Sequence, residues 1–149
     1  MRLLATAVVI STLSLTCAYA RASDLEGGPT ALAVLLTKAD QAQPRDRCFL
    51  YAELVSQMTD LAGQQFSSGD FERASETLKL VQQYAEKIHT GLADDSKKLR
   101  DAELLMQRTS FRLKGILGAA SYEDRPALEA TLKQLNQVQA QLMMQVFKK

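Results

Sequence analysis

The chain has a single histidine, His89, and two cysteines, Cys17 and Cys48. A thiol beside an imidazolium is the smallest unit here that could do nucleophilic chemistry, because the cation lowers the thiol pKa and yields thiolate. Cys48 and His89 meet only if their segments fold back on each other. The turn signal Ser67-Ser68-Gly69-Asp70 lies between them. Residues facing across a hairpin have numbers that sum to twice the turn's centre, so a turn at Gly69 puts Cys48 level with Ile88 and His89. Nothing in the sequence supplies a third orienting group or an oxyanion hole. There is no glycine-rich phosphate loop, no H-E-x-x-H, no C-x-x-C and no placeable Ser-His-Asp set. One histidine and one cysteine cannot hold zinc without carboxylates. The expectation is a non-enzymatic chain with no cofactor. Cys48 and His89 carry the two less favoured alternatives, a helical-bundle ligand or metal binder and a small thiol enzyme.

The first residues, MRLLATAVVISTLSLTCAYARAS, fit a secretory signal: Arg2, then an apolar run from Leu3 to Leu15, then the A-x-A site Ala18-Tyr19-Ala20. The apolar run is shorter than the ~20 residues that a membrane span needs. Residues 1–20 are therefore read as a cleaved signal and 21–28 as a flexible lead-in. The expected location is periplasmic or extracellular. Cleavage removes Arg2 from 18 Lys+Arg, leaving 17 against 17 Asp+Glu. A formally neutral chain lacks the basic excess of a nucleic-acid binder. Cys17 leaves with the signal, so Cys48 has no intrachain disulfide partner.

The elements that position these residues all read as helix, because no alternating apolar runs lie between turn signals. Helices are expected over about 30–42, 44–67, 70–118 and 123–147. Pro44 and Pro126 suit first turns. The longest segment carries a heptad stripe of Phe71, Ala74, Leu78, Val81, Ala85, Ile88, Leu92, Leu99, Ala102, Met106, Leu113 and Ile116, broken only by Asp95 and Thr109. Its phase is unchanged across Gly91, which predicts one long helix, straight or kinked, rather than a corner. Asp94 and Lys98 then form an i,i+4 pair. The fold class is all-α: an antiparallel bundle or set of hairpins around that helix. A rod of roughly 70 Å at ~1.5 Å per residue has a thin core and is expected to dimerise. A corner at Gly91 would instead give an up-down-up-down bundle. Lys97, Lys98, Arg100, Arg108, Arg112 and Lys114 interleave with Asp101 and Glu103, which reads as a solvated face. Tyr51 and Tyr84 lie at apolar spacing and read as core.

The stretch LAGQQFSSGDFERASETLKLV, residues 61–81, resembles a single tetratricopeptide-type hairpin. Leu61 is followed by small Ala62, Gly69-Asp70-Phe71 makes the turn, and Ala74 and Leu78 follow. Gln65 stands where that family prefers an aromatic, and Glu86 where it often has proline. The resemblance implies close helix packing and contact with peptides or other proteins. No second copy is visible in the sequence. The expected partner is accordingly a protein or a second copy of the chain, with no nucleic acid and no membrane span after signal cleavage.

Overall fold

The computed structural model describes residues 28–148; the signal-peptide reading and most of the lead-in lie outside them. Five helices follow in order: α1 (Pro29–Gln41), α2 (Pro44–Ser67), α3 (Phe71–Thr90), α4 (Leu99–Ala119) and α5 (Arg125–Phe147). Pro29, Pro44 and Pro126 each sit in a first turn, where proline's fixed φ helps and its missing N–H is no loss. The α2–α3 turn follows its residue chemistry. Gly69 takes φ +79, a conformation that costs other residues about 1–2 kcal/mol. Asp70 then caps α3, its Oδ1 accepting from the Arg73 N–H at 3.4 Å.

The bundle is two hairpins, α2–α3 and α4–α5, laid one on the other, with α1 folded back on α2. α2 packs against α4 and α3 against α5, while α3 and α4, consecutive in sequence, occupy opposite corners with no close backbone approach. Side-chain hydrogen bonds between the hairpins join residues 49 to 56 positions apart. A nearly constant offset means that α2 runs parallel to α4 and α3 parallel to α5. The second hairpin is thus a shifted counterpart of the first. Leu54, Val55, Leu78, Ile88, Met106, Leu113, Leu128 and Leu135 are fully buried between them. Thr59, Thr109 and Thr131 are also fully buried. Each returns its hydroxyl to the carbonyl four residues back, at 2.7–2.8 Å, so no polar atom of theirs is stranded.

The expected long helix over 70–118 is instead two helices, and the chain crosses the end of the bundle between them. α3 stops at Thr90. Ser96 then closes a turn: its N–H donates to the Ala93 carbonyl at 3.0 Å, and its Oγ accepts from the Ala93 N–H at 2.9 Å. The Lys97 N–H donates to the Arg45 carbonyl at 2.7 Å, fastening the turn to the start of α2. Lys98 has φ +53 and ψ 31, which redirects the chain into α4. Asp94 accepts from Gln145 Nε2 at 3.4 Å, and no Asp94–Lys98 ion pair forms among the described residues. Leu92 still packs against the core and Leu99 is buried. The apolar phase survives because both helices serve one core, not because the backbone is continuous.

Candidate functional site

Cys48 and His89, level in number, end in different surroundings. Cys48 is fully buried, and burial alone pushes its thiol up to about 11. His89 lies on the exposed side of the last turn of α3. A thiol raised and enclosed in this way stays protonated and out of reach of reagents. Among the described residues, no group of three or more His, Cys, Asp or Glu side chains could hold a metal ion, and no helix is long and apolar enough to cross a membrane.

Of the apolar stripe, Ala74, Leu78, Val81, Ala85, Ile88, Leu99, Ala102, Met106 and Leu113 are buried. Leu92 and Ile116 are half-buried against the core. Phe71 is 51% exposed, with its ring 6.3 Å from that of Phe66. Ile116 of α4 packs tightly on Gly63 of α2: a Cβ there would stand 2.9 Å from Ile116 Cδ1.

Beside Cys48's helix turn, a polar cluster fixes α1 to α2 and α3. The Tyr51 ring is buried while its hydroxyl reaches the edge and donates to Asp40. Lys87 Nζ lies 3.3 Å from both Asp40 Oδ1 and the Tyr51 oxygen. It also sits 5.2 Å from the Tyr51 ring centre and 5.4 Å from that of Tyr84, and the two rings stack at 6.1 Å. The Tyr51 hydrogen bond, and then Lys87 against the effect of burial, hold the Asp40 carboxyl below its ordinary value. Asp40 Oδ1, the Tyr51 hydroxyl and Lys87 Nζ hold one another, so the cluster acts as a clasp between the three helices.

The open feature is a groove along the outward side of α2 and α4. Three hollows of about 600, 360 and 570 Å³ run end to end. The first two share Phe49 and Glu53; the second and third share Ser56, Leu105 and Arg108. Lys38 and Gln41 of α1 and Lys97 and Lys98 of the crossing turn close one end. Phe111, 79% exposed, stands at the other. The Lys98 ammonium lies 4.6 Å over the Phe49 ring. Arg112 braces the wall, with Nη1 2.9 Å from Asp60 Oδ2 and Nη2 donating to Ser56 Oγ at 2.6 Å. Burial raises the Asp60 carboxyl while this guanidinium pulls the other way.

Lys97, Lys98, Arg100, Arg108, Arg112 and Lys114 are all exposed, as expected of a solvated face, but the groove beside them was not foreseen. Lys97, Lys98, Arg108 and Arg112 line the groove, beside Phe49 and Phe111. The available signal was Phe111, an aromatic outside the stripe, three residues after Arg108. No protein-family model matches the chain, and neither a curated protein nor a solved structure is similar to it.

Proposed function

We propose that this chain is an exported, non-enzymatic helical protein that acts by contacting another protein along the α2/α4 groove. The observation that carries the reading is Phe111. Its ring is 79% exposed at the mouth of a groove that already holds Phe49 and Leu105. A large ring held in water contributes little to the fold and much to a contact that covers it. The likeness of residues 61–81 to a tetratricopeptide-type hairpin and the signal-like residues 1–20 support a role in protein contacts outside the cytoplasm.

The test is a photo-crosslinking side chain placed at Phe111 in the native host, with the same probe at exposed Tyr122 as control. An adduct with a second protein at Phe111 and none at Tyr122 is the expected result. An adduct of twice the chain's own mass, with a doubled mass by light scattering, identifies the partner as a second copy. Absence of any Phe111 adduct in the compartment that holds the protein refutes the reading. N-terminal sequencing of the same preparation tests export: a chain that retains Met1 argues against it.

A further inference from the structure

The groove has the same pair of groups at each end. At one end the Lys98 ammonium overlies Phe49 at 4.6 Å, with Lys97 beside it. At the other, Arg108 and Phe111 line the same hollow, one helical turn apart. Between them the second hollow carries Glu53 and Asp101, while in the first hollow Lys38, Lys97 and Lys98 outnumber Asp46 and Glu53. The step from Lys98 to Arg108 along α4 is about 15 Å at ~1.5 Å per residue. Among the described residues the ion pairs are Arg73–Asp70, Lys87–Asp40 and Arg112–Asp60. Lys97, Lys98 and Arg108 therefore have no carboxylate partner of their own there.

We propose that the occupant of this groove is an amphipathic helix of a partner protein, about three turns long. It carries a carboxylate next to an apolar side chain at each end, and neutral or basic side chains between. The proposal rests on the groove being the contact surface. Charge selects the ends: two cation–phenyl stations ~15 Å apart match two acidic–apolar pairs about eleven residues apart on one helix face. Glu53 and Asp101 disfavour acid in the middle. The walls select a helix over an extended strand. α2 and α4 use their backbone groups internally, so the groove offers no ladder of main-chain partners, and an extended peptide would lose its water without replacement. A helix arrives with those bonds made and lays its side chains between two parallel rows.

The test uses the chain with a fluorescein-labelled, helix-forming peptide bearing two Glu-Leu pairs about eleven residues apart on an Ala-Lys background. Two control peptides replace both Glu by Gln or by Lys. Anisotropy is expected to show the Glu peptide binding about tenfold more tightly than the Lys peptide, with the gap narrowing in high salt. Arg108→Glu and Lys97→Glu each reverse part of that preference, and Phe111→Ser weakens all binding. All three side chains are exposed, and circular dichroism confirms that each variant is folded. Equal binding of the Gln and Glu peptides overturns the charge assignment while leaving the groove as a contact surface. Binding that is indifferent to both Arg108→Glu and Phe111→Ser places the peptide elsewhere and overturns the proposal. Failure of all three peptides to bind overturns the proposal and counts against the groove itself.

Discussion

Replacing Tyr51 by phenylalanine removes one oxygen and leaves the rest of the clasp in place. The ring still stacks on Tyr84 and still lies under Lys87. What is lost is a hydrogen bond to the carboxylate of Asp40 and the contact with Lys87 Nζ. Hydrogen bonds to charged groups contribute about 1.5–3 kcal/mol when shielded. Here the Asp40 and Lys87 side chains are 48% and 47% exposed, so water replaces part of the loss and about 1 kcal/mol remains. For a helical domain of this size that lowers Tm by about 3–6 °C. The pH dependence sharpens the test. A carboxyl held below its ordinary 3.8 in the fold adds stability that is fully present above the unfolded-state value. That stability disappears as pH falls through the folded-state value. Urea unfolding followed by circular dichroism should therefore show the wild-type advantage at pH 7 and a smaller one near pH 2.5. Asp40→Asn combined with Tyr51→Phe should cost less than the two singles added together. A loss under about 0.3 kcal/mol at pH 7, or an equal loss at both pH values, refutes the clasp as a source of stability.

Other outcomes follow from single positions. A thiol at about 11 instead of 9.0 carries roughly a hundredfold less thiolate at pH 8. Native Cys48 should therefore react with a disulfide reagent at least that much more slowly than a free thiol, and at the ordinary rate once unfolded. Lys98→Gly should relieve about 1 kcal/mol of left-handed strain and lose ~0.5 kcal/mol of contact with Phe49, a small net gain in urea midpoint. Gly69→Ala, at φ +79, should cost about 1 kcal/mol by the same rule. Gly63→Ala should come out near neutral, because the helix gains up to ~1 kcal/mol while the end of Ile116 shifts to make room. Gly63→Leu would force α2 from α4 and should lower thermal stability well beyond any surface change.

Turns whose cause is local were legible in the sequence. Gly69 with Asp70, Pro44 and Pro126 announce the helix boundaries at which they stand, because the conformation each favours is the one used. The all-helical class was legible for the same reason. The crossing turn at 91–98 was not. Ile88, Leu92 and Leu99 keep one phase on both sides, and periodicity reports which side faces a core without reporting whether the backbone between is helical. Asp94, read with Lys98 as an i,i+4 pair on a helix surface, instead accepts from Gln145, and Ser96 closes the turn on Ala93. The groove was hidden for a different reason. Its cations and rings come from α1, α2 and α4 together, and only the parallel placement of α2 beside α4 sets Phe49 and Lys98 in contact.

That placement has a kinetic side. Side-chain bonds inside each hairpin span 12 to 36 residues, while those between hairpins span 49 to 56. Local closure precedes distant closure, so each hairpin can form before the two dock. The chain that joins them, residues 91–98, contributes few core side chains. A hairpin from one molecule can therefore take its place against the complementary hairpin of another, using every native contact except the path of the crossing turn. At high protein concentration such exchanged pairs would retain the core and the groove of the single chain, and only the turn would reveal that two molecules had traded halves.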